Sequence, residues 1–258
     1  MVRQRITDKT ILRLIDKWLK AGVMKEGKVT YPEKGIPQGG PISCVLANIY
    51  LHYVIDLWFE KVFKKGIQGE VYITRFVDDF VCCFQNRNDA IKFDIELKSR
   101  MKKFDLEIAQ EKTRMMEFGK FARTNLAHSK RKPETFNFLG FEHICGTDTK
   151  GKLAVIRIPS KKSCRKFLDE TKAWLKKHLH WRKVEQQKQL ATKLQGFYQY
   201  FGLTHCKPKL DWIHNQVMRQ WRKAIKHQSQ RQRAFWSYLS SKSWFSLPYV
   251  TTGLHPTI

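Results

Sequence analysis

Apolar and polar positions follow two rhythms along this chain, and the change between them divides it. Ile11, Leu14, Ile15 and Trp18 recur at helical steps behind Thr7 or Asp8 as N-cap, which predicts a helix ending near Gly22. Gly35-Ile36-Pro37-Gln38-Gly39-Gly40-Pro41 excludes regular structure and opens onto Ser43 and an apolar run from Val45 to Phe59, read as a helix to about Lys61. After a turn over Gly66 to Gly69, Val71 to Phe76 and Phe80 to Phe84 read as strands, with Val77-Asp78-Asp79 at the tip of the hairpin. Asn88 is the expected cap of a helix through Asp94, Leu97 and Met101. Short strands are expected over Leu106 to Ile108, Met115 to Phe118, Asn137 to Phe141 and Leu153 to Ile158, with a turn from Gly146 to Gly151 before the last.

Beyond Pro159 the rhythm is helical throughout. Ser160 caps a predicted helix with Cys164, Phe167, Leu168, Thr171, Leu175 and Leu179 inside. A second runs from about Val184 to Phe201 and stops at Gly202, and a third from Leu210 to about Lys226 turns Ile213, Val217, Trp221 and Ile225 inward. The fold class is therefore α+β: a mixed unit over residues 1–159 and an all-α unit over residues 160–258.

Composition adds a partner class. The 258 residues carry 49 Lys+Arg against 23 Asp+Glu, a net charge of +26, which works against compaction unless a polyanion offsets it. Residues 160–258 hold 20 Lys+Arg against 4 Asp+Glu, so +16 of that charge sits in the helical part. Nucleic acid is the first candidate. No run of about 18 to 20 uninterrupted apolar residues occurs, and the N-terminus has no signal-peptide core, so the expectation is no membrane partner and a cytoplasmic or organellar, non-secreted protein. The six cysteines form no Cys-x-x-Cys pair; Cys145 and His143 would need distant partners to make a zinc site, and ordinary thiols are the expectation.

Two features carry chemistry. Adjacent aspartates at a hairpin tip between apolar strands need a positive counterpart, which makes Asp78 and Asp79 a candidate divalent-metal site; a solvated Asp-Asp turn is the alternative. Neighbouring side chains on an extended chain point to opposite faces, so both reach one ion only if the turn re-aims one. Some forty residues upstream, Pro37, Gln38, Gly39 and Gly40 place bare backbone before a helix N-terminus, suited to a phosphate or a base edge. Together they have the layout of a template-directed polymerase site.

Over essentially its whole length the chain resembles the reverse transcriptase/maturase proteins encoded by group II introns. Gly35-Ile36-Pro37-Gln38-Gly39-Gly40-Pro41-Ile42-Ser43 with Leu46-Ala47-Asn48-Ile49-Tyr50-Leu51 matches the family's B motif, with Pro41 where valine is common and Cys44 where proline is. Arg75-Phe76-Val77-Asp78-Asp79-Phe80 matches its Tyr-Ala-Asp-Asp-Phe motif with Phe for Tyr and Val for Ala. Glu111-Lys112-Thr113 looks like the D region, Phe138-Leu139-Gly140-Phe141 like the primer grip, and Gly196-Phe197-Tyr198-Gln199-Tyr200-Phe201 like the thumb/maturase signature.

The resemblance implies a partial polymerase palm, an antiparallel sheet with packed helices, followed by a helical thumb/maturase domain. It implies an RNA-directed DNA polymerase using Mg²⁺, with Mn²⁺ as a substitute, in which Asp78 binds a catalytic ion and Asp79 supports the site as ligand or acceptor. Pro37, Gln38, Gly39 and Gly40 would face template and nucleotide. Lys112 either protonates the departing pyrophosphate, pairs with phosphate, or is an exposed lysine paired with Glu111. Phe138, Leu139 and Gly140 would form the primer grip. Implied partners are template and intron RNA, RNA–DNA duplex and dNTP. The family's further essential aspartate lies upstream of the B motif, and Asp8, Asp16, Glu26 and Glu33 do not stand in an apolar strand context. The expectation is an N-terminally truncated chain, inactive or poorly active alone, with an N-terminal companion fragment or a dimer as partner.

For the basic helices the expectation is RNA contact through Lys161, Lys162, Arg165, Lys172, Lys176, Arg222 and Lys223. Of the interleaved aromatics, Trp174, Tyr198, Tyr200, Trp212 and Trp221 are assigned to the core, and Trp181 and Trp236 to exposed stacking positions. The alternative function is a non-catalytic RNA-binding maturase, a splicing cofactor, or a remnant.

Overall fold

Asp8 caps the first helix, α1 (Lys9–Lys20), accepting from the N–H groups of Thr10 and Ile11 at 2.7 and 3.2 Å. The computed structural model describes residues 1–20, 23–25, 28–30, 41–127, 133–148, 150–228, 236–250 and 252–253. It is a mixture of helices and small antiparallel sheets that divides into two compact units, Met1–Met115 and Met116–Ile258.

In the first unit, β1 (Val23–Lys25) pairs with β2 (Lys28–Thr30) in a short hairpin that hydrophobic alternation did not suggest. Pro41 then opens α2 (Pro41–Leu51), where its missing N–H costs nothing. The helix does not stop near Lys61 as expected. It runs on through π-helical turns at His52–Asp56 and Phe59–Phe63 to a final 3₁₀ turn at Lys64–Gly66. The span Ile42–Gly66 has the length and composition of a membrane-crossing helix; in this structure Val54, Ile55, Trp58, Phe59 and Phe63 form the centre of the unit's core.

Two strands and a helix close over that core. β3 (Val71–Phe76) pairs antiparallel with β4 (Asp79–Phe84), and α3 (Arg87–Lys103) buries Phe93, Leu97 and Met101 against it. The α3 cap is Asn86 rather than Asn88. Phe93 sits among Phe63, Phe84, Phe59 and Trp58 at ring-centroid distances of 5.1 to 5.9 Å. Two carbonyls of the first π turn accept from Arg100, whose Nε donates to Val54 O at 3.0 Å and Nη2 to Tyr53 O at 3.3 Å. Leu106 to Ile108 and Met115 to Phe118 are not strands. Leu106 and Ile108 pack on the core from irregular backbone, and no strand among the described residues pairs with them.

The second unit begins with α4 (Ala122–Ala127), followed by a three-stranded sheet of β5 (Phe136–Phe138), β6 (Phe141–Thr147) and β7 (Leu153–Pro159) in that order. The single strand expected over Asn137 to Phe141 is instead a hairpin, turning at Leu139-Gly140 with Phe138 opposite Phe141. Helices follow as α5 (Lys161–Lys177), α6 (Lys183–Phe201), α7 (Lys207–Gln228) and the short α8 (Trp236–Ser240). Ser160 caps α5 through its Oγ, which accepts from Ser163 N–H at 3.1 Å. Helix α7 starts three residues earlier than expected, since Lys207-Pro208 fits a first helical turn. Ile213, Val217, Trp221 and Ile225 are buried as expected. One polar side chain lies at the centre: Gln186 accepts from Trp221 Nε1 at 2.9 Å and donates to the carbonyls of His178 and Leu179 at 2.8 and 3.2 Å. Its hydrogen bonding is thereby satisfied without water.

Candidate active site at the β3–β4 hairpin

The register of β3 and β4 sets Phe76 opposite Asp79, so the turn is two residues, Val77 and Asp78, rather than the three expected. Asp79 is the first residue of β4. Val77 takes φ +56° while Asp78 does not have a positive φ. A β-branched residue in that region clashes with its own backbone, at a cost of about 1–3 kcal/mol, and persists only where surrounding structure imposes it.

The imposing group is Arg75. Its Nη1 donates to Val77 O at 2.7 Å, holding the turn's own carbonyl. The same nitrogen donates to Asn48 Oδ1 at 2.8 Å, while Nε and Nη2 engage Asp56 Oδ1 and Oδ2 at 2.8 and 2.6 Å. This bidentate fork clamps the hairpin to the α2 helix and its π extension. Asn48 and Asp56 are eight residues apart, about 80° past two turns of an ideal α-helix, and the wider π turn at His52–Asp56 absorbs part of that offset. The Arg75 side chain is only 11% exposed and that of Asp56 29%. Burial alone would raise the Asp56 pKa; the hydrogen bonds and charge of Arg75, seconded by His52, outweigh it and hold the carboxyl below its ordinary value.

With Arg75 committed to Asp56, no described residue neutralises the turn's acids. Asp78 and Asp79 are exposed, and among the described residues neither carboxylate has a hydrogen-bond or ion-pair partner. Two adjacent, exposed hard oxygen donors suit a divalent cation such as Mg²⁺, which binds through one or two carboxylates and completes its shell with water and substrate phosphate. Among the described residues no group of three or more acidic, histidine or cysteine side chains gathers here or elsewhere. Burial pushes the Cys82 and Cys83 thiols up, in Cys82 with a further contribution from Cys83, which favours the protonated form over the thiolate.

Of the other expected site residues, Pro37, Gln38, Gly39 and Gly40 lie outside the described residues. Lys112 belongs to the first unit, in a turn where its N–H donates to Ala109 O at 3.0 Å. Its ammonium is exposed and forms no ion pair with Glu111.

Phe138, Leu139 and Gly140 belong to the second unit. Leu139 (φ +49°) and Gly140 (φ +78°) form a tight turn whose carbonyls are tied down from α5 and α6. Tyr200 Oη donates to Leu139 O at 2.9 Å, while Ser163 Oγ and Ser160 N–H donate to Gly140 O at 3.0 and 2.9 Å. Tyr200 of the thumb-like signature is therefore a hairpin anchor. It is exposed rather than in the core, as is Trp212.

Lys161, Arg165, Lys172 and Lys176 fall within roughly 60° of arc on α5 and are exposed, as is Lys162 beside them. Lys223 is exposed and Arg222 half-exposed on α7. Arg75 and its partners were not among the expected site residues. A cation three residues before two adjacent aspartates, with Asn48 and Asp56 on the preceding helix, was the signal available.

The profile of the family described as reverse transcriptase (RNA-dependent DNA polymerase) matches residues 2–143, more than half of the chain. Three relatives share shorter segments. An uncharacterized 91 kDa protein in a cob intron of Schizosaccharomyces pombe is 42% identical over 24% of this chain and 8% of its own length. The group II intron-encoded protein LtrA of Lactococcus lactis subsp. cremoris is 42% identical over 20% of this chain and 9% of its own. Telomerase reverse transcriptase of Oryzias latipes is 31% identical over 33% and 7%. The matched segments thus span less than a tenth of each relative.

Proposed function

Because the chain belongs to the reverse transcriptase family, we propose that the β3–β4 hairpin is the acidic half of an RNA-directed DNA polymerase site of the group II intron type. The observation that carries this reading is a pair of exposed aspartates, unpartnered among the described residues, on a strained turn that Arg75 holds in place. Asp78 and Asp79 would hold the divalent ion, which in such sites lowers the pKa of an attacking hydroxyl and neutralises the departing phosphate. The chain's own contribution is orientation: a turn fixed at its carbonyl cannot swing its carboxylates away when a polyanion approaches. With only two acids at the turn, further oxygen ligands come from substrate phosphate and from a carboxylate outside the described cluster, carried elsewhere in the chain or by a companion fragment.

The second unit binds nucleic acid, intron RNA and template–primer duplex, through its basic helices. Support comes from +16 of charge over residues 160–258 and from the exposed stripe on α5. A maturase role, in which intron RNA binding stabilises the RNA fold, uses this same surface.

Asp78→Ala separates the two roles. Primer extension on an RNA template with dNTP and Mg²⁺, run with and without an added N-terminal palm fragment, is expected to fall at least a hundredfold. RNA affinity by anisotropy should stay within about twofold. Terbium luminescence sensitised by neighbouring aromatics should be lost as well. Extension by the variant at the wild-type rate would refute the assignment, and parallel loss of RNA affinity would refute the division between units.

A further inference from the structure

At one end of the second unit, α5 ends at Lys177, α6 begins at Lys183, and α7 reaches its last residue, Gln228. The connection between α5 and α6 is held from inside: Gln186 donates to the carbonyls of His178 and Leu179, and Gln228 Nε2 donates to Leu179 O as well. Trp181 N–H donates to His178 O at 3.2 Å. The backbone that presents Trp181 is therefore rigid.

Trp174 and His178 stack on each other, with centroids 4.6 Å apart and planes at 23°. Trp181 meets them edge to face, at 4.4 Å and 77° to His178 and at 5.9 Å and 84° to Trp174. Its orientation is fixed, yet among the described residues no ring stacks on it, and it stays 43% exposed. Trp221 in the same unit is the opposite case, fully buried with its indole N–H bonded to Gln186. Around Trp181 the charge is mainly positive, with the exposed Glu185 the nearest acid in the sequence. Residues 171–184 contain five Lys+Arg and no acid. Lys176, Lys177 and Arg182 are exposed, and among the described residues none has a carboxylate partner.

A preoriented indole with an open face takes a flat π system, and unneutralised cations on both sides of it take anions. One ligand class supplies both at nucleotide spacing. We propose that Trp181 is the stacking platform of a binding site for an unpaired nucleotide, with Lys176, Lys177 and Arg182 on the flanking phosphates. The inference rests on the reading of the second unit as nucleic-acid-binding and adds what it recognises there: a base freed from pairing, as in a loop, bulge or single-stranded end.

The test uses the full chain and oligonucleotides carrying 2-aminopurine, as single-stranded RNA, single-stranded DNA and fully paired RNA. Trp181→Ala is expected to weaken single-strand binding about tenfold, toward the lower part of the range for one stacked base, and to abolish quenching of the 2-aminopurine emission. Trp181→Phe should keep the quenching and bind within about threefold, which separates stacking from disturbed folding. Lys176→Ala/Lys177→Ala/Arg182→Ala should instead flatten the salt dependence by roughly two units of log–log slope while some quenching survives.

Equal loss on single-stranded RNA and DNA supports the platform, and a loss confined to RNA supports it with added sugar recognition. Unchanged single-strand affinity in Trp181→Ala, or an equal loss on the paired duplex, overturns it. The outcome is distinguishable from that of the polymerase reading. Quenching survives in Asp78→Ala whether or not that variant extends primers, whereas loss of the platform leaves the metal readout at the β3–β4 hairpin intact.

Discussion

Replacing Arg75 by lysine keeps a positive charge at the β3–β4 hairpin and removes the fork. The guanidinium makes four hydrogen bonds of 2.6 to 2.8 Å, two to Asp56 and one each to Asn48 and Val77 O. A lysine ammonium is a single nitrogen on a flexible stem and reaches about two of those acceptors at once. Each charge-assisted bond contributes about 1.5–3 kcal/mol, so losing two costs at least about 3 kcal/mol before solvent is considered. Asp56 retains 29% exposure, so water recovers part of the loss, which brings the expected destabilisation to about 2 kcal/mol. Urea unfolding of this unit should shift by about 1 M. Hydrogen exchange over peptides within residues 71–84 should accelerate about thirtyfold, which distinguishes this unit from the other. Asp56→Asn, with one carbonyl oxygen left to accept, should cost less alone. In the double variant the two changes should couple by at least about 1 kcal/mol. A loss below about 0.5 kcal/mol for Arg75→Lys, with no coupling to Asp56, would mean that the clamp seen in the structure does not hold the turn.

Val77→Gly tests the strain directly. Relief of a positive φ at a β-branched residue contributes about 1–3 kcal/mol, and the added freedom of glycine in the unfolded chain offsets about 1 kcal/mol, so the variant should be about 1 kcal/mol more stable in urea; a loss of that size, the ordinary result of Val→Gly in a hairpin, would contradict the strain. Acid should release the clamp. Asp56 has its pKa depressed in the folded protein by Arg75, so its stabilisation is complete above the unfolded carboxylate value of about 4 and is lost as pH falls through the lower folded value. The stability gap between wild type and Asp56→Asn should therefore hold above pH ~4 and close below it, and a gap that closed on going alkaline would have the wrong sign.

How far the fold was legible depended on how local its determinants are. Ser160 and Gly202 announced the start of α5 and the end of α6, and both stand where the sequence places them, because a cap acts within one turn. The burial of Ile213, Val217, Trp221 and Ile225 on α7 followed from spacing alone. The π turns of the α2 helix were not legible, since their side chains keep the apolar density of any buried helix and Arg100, which donates to two carbonyls of the first turn, stands 46 and 47 residues away. Leu106 to Ile108 shows the converse error. Apolar alternation describes an extended chain with one buried side, and it says nothing of whether another strand stands alongside to pair with it.

The two hairpin turns were misread for one shared reason. Each puts a bulky residue at positive φ where turn chemistry favours glycine or asparagine: Val77 at +56° and Leu139 at +49°. Each is held by a side chain that donates to that residue's own carbonyl, Arg75 to Val77 O at 2.7 Å and Tyr200 to Leu139 O at 2.9 Å. Local preference was overruled from outside the turn both times, once by a salt-bridged arginine and once by a tyrosine 61 residues away. A turn that prefers its observed shape needs no such anchor. These anchors therefore mark backbone geometry maintained against local preference, which is expected where a turn must present its residues to a ligand. That places the Asp78–Asp79 pair and the Leu139–Gly140 turn in the same physical category, and it makes Arg75 and Tyr200 as informative about function as the residues they hold.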